Sequence, residues 1–136
     1  MIYYVDGFMH SGNPCLSGGC TVVDEHNNLL VRRIFKVEPP KKWTNNDAEL
    51  WAVACGVAIA GYQDTIYSDS EVMVKWWLPR RSAKTRKDLN PLIVYTANQI
   101  REKDISLLWV GRDDNLAGIY NDQNRPALWS NLVPTI

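Results

Sequence analysis

Thr65-Ile66-Tyr67-Ser68 and Ile105-Ser106-Leu107-Leu108-Trp109-Val110 are two short β-prone runs, and the chain that joins them decides the fold. Glu71 to Trp77 reads as a short helix stopped near Pro79. Asn90-Pro91 reads as an N-cap and first-turn proline opening a helix to about Lys103. Strand, helical crossover and strand make a parallel unit, because parallel neighbours cannot be joined by a tight turn. Asp69-Ser70 then stands at the end of the first of these strands, on the sheet edge where α/β folds build their sites.

The chain before this unit reads as a meander. Ile2-Tyr3-Tyr4-Val5 is a strand that delivers Asp6-Gly7 at its end. Ser11-Gly12-Asn13-Pro14 and Ser17-Gly18-Gly19 are turn formers, after which Cys20 to Val23 and Leu29 to Phe35 flank Asp24-Glu25-His26-Asn27-Asn28 as a hairpin. Val37-Glu38-Pro39-Pro40 stops the third strand, since proline cannot donate to a ladder. From Asp47 to Gly61 the residues Leu50, Val53, Ala54, Val57 and Gly61 recur at helical spacing, with Thr44, Asn45 or Asn46 available as cap. Ala52, Gly56 and Ala60 line the Glu49 side of that helix and are small enough to let it approach a sheet closely. A last helix is expected from Leu116, limited by Pro126. The expectation is an α/β fold in one domain, 1–136, with a mixed sheet of three antiparallel strands followed by parallel ones.

Composition agrees with a soluble domain: 136 residues, of which 46% are hydrophobic and 22% charged. The longest weakly polar stretch, Leu50 to Tyr62, is interrupted by two glycines and falls short of the roughly 20 apolar residues a membrane helix needs. The first residues have neither a basic region nor a small-residue cleavage site, which points to the cytosol. Three cysteines without a C-x-x-C pair suggest neither a disulfide framework nor a zinc ribbon, and read as buried small hydrophobes. Lys and Arg together number 15, as do Asp and Glu, so no global polycation advertises a nucleic-acid partner. Locally, Lys75, Arg80, Arg81, Lys84, Arg86 and Lys87 form a basic stripe free of acids.

Three carboxylates stand out by position: Asp6 past one strand, Glu49 in the first turn of a helix, and Asp69 past a second strand. Gathered acids repel unless divalent cations neutralise them, and hard Mg²⁺ prefers oxygen ligands of this kind. Two such ions about 4 Å apart can activate water and stabilise the leaving oxygen of a phosphodiester.

The runs Ile2-Tyr3-Tyr4-Val5-Asp6-Gly7, Gly18-Gly19, Thr44-Asn45-Asn46-Asp47-Ala48-Glu49-Leu50, Ile66-Tyr67-Ser68-Asp69-Ser70 and Trp109-Val110-Gly111 occur in the order found in type 1 ribonucleases H, and the chain resembles that family. Its compactness is similar to that of phage-borne and reverse-transcriptase-linked relatives. The resemblance implies a ribonuclease H-like fold, a five-stranded mixed sheet with helices on both faces. It also implies an endonuclease that cuts the RNA strand of an RNA/DNA hybrid with two Mg²⁺ ions, Mn²⁺ being a substitute. Asp6, Glu49 and Asp69 match three of the family's four metal-binding carboxylates. The loop histidine of many bacterial members is replaced by Gly111-Arg112, followed by Asp113-Asp114.

The fourth carboxylate depends on register. Aligning Gly111-Arg112 with the family's Gly-His brings Asp122 onto the helical aspartate. Aligning Asn115 with the asparagine that precedes that aspartate puts Ile119 there instead. Asp122 is chosen, with Asp113 and Asp114 as alternatives that could equally serve the helix dipole. Gly7, Thr44, Asn45, Asn46 and Ser70 lie beside the acids and suit a minor groove lined by 2′-hydroxyls, although one of the polar trio also serves as helix cap. Lys84, Arg86 and Lys87, with Trp76 and Trp77 nearby, can grip the DNA strand, and Arg112 can contact phosphate. Trp43, Trp51, Trp109 and Trp129 read as core or rim residues. A monomer acting on RNA/DNA hybrid without a membrane is expected; the competing readings are a DNA nuclease on the same fold and a silent nucleic-acid-binding module.

Overall fold

The computed structural model describes residues 1–130, with side chains described as far as Asn124. Strands β1 (Ile2–Met9), β2 (Ser17–Asp24), β3 (Leu29–Lys36), β4 (Thr65–Ser68) and β5 (Ser106–Trp109) form one sheet in the order β3-β2-β1-β4-β5. The β1, β2 and β3 pairings are antiparallel, whereas β4 pairs parallel with both β1 and β5, as the hairpin and the crossover require. The helices are α1 (Asn45–Ile59), α2, α3 (Asn90–Glu102) and α4 (Leu116–Ser130), where α2 is a π-helical segment, Val72–Trp77, continued by an α-helical turn, Leu78–Arg80.

Helices cover both faces of the sheet. On β2, Thr21 bonds Asn121 of α4 while its neighbour Cys20 meets Cys55 of α1, so α1 and α4 lie on opposite sides. The α1 face carries Val5, Val22, Leu50, Val53, Ile66, Met73 and Ile93, all fully buried, each contributing about 1.5–3 kcal/mol of burial. Cys20 and Cys55 are buried free thiols of this core, as expected, and Cys15 is partly buried. No helix among the described residues is long and apolar enough to cross a membrane.

Several boundaries differ from the sequence reading. β1 does not stop at Val5: its pairing with β4 ends at Val5–Ser68, but its pairing with β2 runs on through Asp6–Thr21 to Met9–Gly18. Ser17-Gly18-Gly19 belong to β2 instead of a turn, and their small size serves packing, since a Cβ on Gly19 would stand 2.1 Å from the Arg33 carbonyl oxygen. α1 opens at Asn45, so Glu49 falls in its second turn; Thr44 caps it reciprocally with Asp47. α2 passes through Pro79, which sits where a new α-helical turn starts and needs no N–H partner, and ends at Arg81 in the left-handed region, φ 62°. Asn90 accepts from the Ala83 N–H at 2.8 Å instead of capping α3. Pro126 lies within α4 and does not end it, the loss being one backbone donor. The Trp129 side chain is outside the described residues.

Gly7 sets the distance between β1 and α1. A Cβ there would lie 2.4 Å from the Ala48 carbonyl carbon, which is backbone and cannot swing away. Gly7→Ala is therefore expected to push α1 off the sheet and to destabilise by about 1–3 kcal/mol, read from urea melts; an unchanged midpoint would refute the close packing.

Candidate metal centre

Asp6, Glu49 and Asp69 converge because of strand register and the closeness of α1. β1 and β4 are parallel neighbours paired at Val5–Ser68, so the next residues, Asp6 within β1 and Asp69 just past β4, stand side by side where that pairing ends. Glu49 comes down from α1, and its Oε1 accepts from the Gly7 N–H at 2.7 Å. Each of the three carboxylates offers an oxygen, and those oxygens lie within 4.8 Å of one another. The backbone of Asp69 is itself held: its carbonyl accepts from the Trp109 indole N–H at 3.3 Å, which ties the end of β4 to the end of β5.

Burial and mutual repulsion set the electrostatics. Desolvation first, then the Asp69 charge, push the Asp6 carboxyl up to about 7, against the lowering effect of the Asn121 hydrogen bond and the Arg112 charge. Burial likewise raises Glu49 well above the ordinary carboxylate range, with the Asp6 and Asp69 charges adding to it. Acids so placed take up protons readily at neutral pH, and a divalent cation is the other species that relieves them. An all-oxygen donor set of carboxylates fits a hard ion such as Mg²⁺ or Mn²⁺ and gives no place to a soft one.

This has a consequence for stability without metal. The native pKa of Asp6 exceeds its ordinary 3.8, so its contribution is most favourable below pH 3.8 and is lost as pH rises through about 7. Asp6→Asn does not titrate. Its metal-free melting temperature, relative to wild type, is expected to climb from pH 4 to 7 and then level off, and a flat difference would refute the shift.

The acids line an open depression of about 410 Å³, whose wall also includes Gly7, Asn45, Asn46, Ser70, Arg112, Asn121 and Asp122. Arg112 is exposed, and its charge lowers both Asp6 and Glu49. The Ser70 hydroxyl accepts from the Met73 N–H at 3.3 Å, at the start of α2. Asp122 is exposed at the rim: its charge reaches Asp6, but it stands outside the group of three, because Asn121 takes the inward position on α4. Asp113 and Asp114 are exposed in a 3₁₀ turn, Arg112–Asp114, and do not line the depression. Sequence reasoning passed over Asn121 and its partner Thr21; the only hint was the position of Asn121 beside Asp122.

A second depression of about 510 Å³ shares Asn46 and Val72 with the first and carries Trp76, Arg80 and Lys84. Trp76 is half exposed with the Arg80 guanidinium 4.6 Å from its ring centre, whereas Trp77 and Trp43 are buried. Thr44 and Arg86 are not free toward this surface. Arg86 reaches the Thr44 hydroxyl and both oxygens of Asp47 at 2.9–3.2 Å, and also binds Asp88, so its guanidinium braces the start of α1. Lys87 is exposed and lines neither depression.

No family model matches the chain, and no curated protein matches it. Among solved structures it is similar to the N-terminal ribonuclease H domain of a Mycobacterium tuberculosis protein, with TM-score 0.61 and 23% identity over 93% of this chain and 96% of that one. It is also similar to LC11 ribonuclease H1, isolated from compost by a metagenomic approach, with TM-score 0.64 and 21% identity over 93% and 96% of the two chains. The same LC11 enzyme in complex with an RNA/DNA hybrid matches with TM-score 0.58 and 21% identity over 84% and 87%. Strand order, mixed pairing and helices on both faces agree with these matches, and the chain has the ribonuclease H-like fold.

Proposed function

We propose that the chain is a divalent-metal-dependent endonuclease that cleaves the RNA strand of RNA/DNA hybrids. The observation that carries this reading is the convergence of Asp6, Glu49 and Asp69 in an open depression, on the fold shared with solved ribonuclease H domains. Asp6, Glu49 and Asp69 would hold Mg²⁺ or Mn²⁺, with Asp122 adding charge at the rim. Bound there, two such ions would supply an activated water and would stabilise the departing oxygen of a phosphodiester.

The chain's own residues do the positioning. The Gly7 N–H fixes one oxygen of Glu49. Asn45 and Asn46, at the start of α1, and Ser70 present short polar groups beside the acids, suited to the 2′-hydroxyls and sugar edges of an A-form-like minor groove. Arg112 offers a permanent cation at the rim for a phosphate, where a histidine would titrate. Across the shared wall, Trp76 and Lys84 can take the second strand by packing and charge.

A gel assay with Mg²⁺ tests the proposal: the RNA strand of a hybrid should be cut, and double-stranded DNA and double-stranded RNA should not. Cleavage of the DNA duplex alone would favour a DNA nuclease on the same fold, and binding without cleavage a silent module. Lys84 and Lys87 are exposed cations free to meet phosphate, unlike Arg86. Replacing both with Ala is expected to reduce the slope of log affinity against log salt by roughly two, one for each lost contact. An unchanged slope would make them a solvated face.

A further inference from the structure

Asp6, Thr21 and Asn121 form a short relay across three elements. Asp6 and Thr21 are paired in register on β1 and β2, so their side chains leave the same face of the sheet, toward α4. There the Thr21 hydroxyl donates to Asn121 Oδ1 at 2.6 Å, and Asn121 Nδ2 donates to Asp6 Oδ2 at 2.9 Å. Thr21 is fully buried and Asn121 is 3% exposed. Gly118, one turn earlier on α4, faces the same carboxylate: a Cβ there would lie in ordinary contact with Asp6 Oδ2, at 3.6 Å.

We propose that Asn121, held by Thr21, is the positioning residue for Asp6, and that α4 serves the metal centre in this chain through an amide. An amide has two ends of nearly the same shape and opposite polarity, and only one orientation helps Asp6. With Nδ2 toward Asp6 it donates to the carboxylate; reversed, it would set oxygen against oxygen. The Asp6 carboxylate, an acceptor only, selects the first orientation, and the Thr21 hydroxyl holds it by donating to Oδ1. The bond occupies Asp6 Oδ2 and fixes the plane of the carboxylate, leaving Oδ1 for a cation. A buried amide costs more desolvation than a leucine of similar volume, so its presence beside the acids is explained by what it holds.

This inference rests on the metal-centre reading. Partners that orient a ligand typically change metal affinity by about 10- to 100-fold when removed. Mn²⁺ binding to the full chain is therefore measured by calorimetry for wild type, Asn121→Leu, Thr21→Val and Thr21→Ser, with melting temperatures alongside. Both Asn121→Leu and Thr21→Val should weaken Mn²⁺ by about 10- to 100-fold. Thr21→Ser, which keeps the hydroxyl, should recover most of what Thr21→Val loses. The double variant should be no weaker than Asn121→Leu alone, because both act through one relay.

A purely structural role would lower the melting temperature and leave Mn²⁺ affinity as it was. Folded Thr21→Val with wild-type affinity would overturn the proposal even if Asn121→Leu failed to fold. Should the wild type bind Mn²⁺ yet leave the hybrid uncut, the nuclease reading fails while the affinities still judge the relay.

Discussion

Glu49→Gln is expected to lower Mg²⁺-dependent hybrid cleavage by at least ~10²-fold and at the same time to raise the melting temperature of the metal-free protein. Glu49 is 4% exposed, and its side chain is committed at one end to the Gly7 N–H. Glutamine keeps an oxygen for that bond and turns a neutral NH₂ group toward Asp6 and Asp69. Two effects then separate. The negative charge that would hold a cation is gone, so the site loses its function without losing its shape. The repulsion of Glu49 by Asp6 and Asp69, and the cost of burying its charge, also disappear, while the Asp6–Asp69 repulsion stays.

The sign follows from the raised native pKa of Glu49. Its ordinary value is 4.5, and the folded value lies well above that, so the wild type is least penalised below pH 4.5 and increasingly penalised above it. The stability gain of Glu49→Gln should therefore be absent near pH 4 and grow through neutrality, in melts recorded with chelator. Adding Mn²⁺ should stabilise the wild type and leave the variant almost unmoved, since only binding to the native state shifts the melt. A variant that cuts hybrid as the wild type does would remove Glu49 from the metal centre.

The elements that position these acids were legible because each rests on local chemistry. Three capping candidates, Thr44, Asn45 and Asn46, announce the start of a helix, and Thr65 to Ser68 announce a strand by their β-prone run; both elements are found within a residue or two of their expected places, with Thr44 as the cap. The parallel relation of β4 and β5 followed from the helices between them. What local pattern could not show was contact between distant segments. Gly18 and Gly19 look like turn residues until Trp43 and Arg33 are seen pressing on them. Arg86 looks like a free cation until Asp47 and Asp88, one of them far along the chain, take up its guanidinium. Asn121 looks like an ordinary helix residue until Thr21 and Asp6 are brought to either side of it. In each case the deciding partner is supplied by the tertiary fold, and one residue's type admits both readings.

Asp69→Asn and Asp122→Asn are expected to part by about an order of magnitude. Asparagine keeps the size of aspartate and most of its hydrogen bonding, so each change reads the charge. Asp69 belongs to the group of three oxygens within 4.8 Å, with its backbone carbonyl fixed by Trp109, and its loss should reduce hybrid cleavage by at least ~10²-fold. Asp122 is exposed at the rim and acts on Asp6 through its charge. Across several ångströms of water a unit charge is worth less than about 1 kcal/mol, a few-fold at most, which the walls of a partly enclosed site can enlarge. Asp122→Asn should therefore cost up to about 10-fold in kcat/KM, with Mn²⁺ affinity little changed. Asp113→Asn and Asp114→Asn, outside the depression, should stay within about twofold. Single-turnover cleavage of one hybrid by the four variants, each checked by circular dichroism, measures the set. An Asp122→Asn loss as deep as that of Asp69→Asn would mean that α4 shifts when hybrid and cation bind, carrying Asp122 inward past Asn121. The three-carboxylate centre would then become a four-carboxylate one only in the working complex.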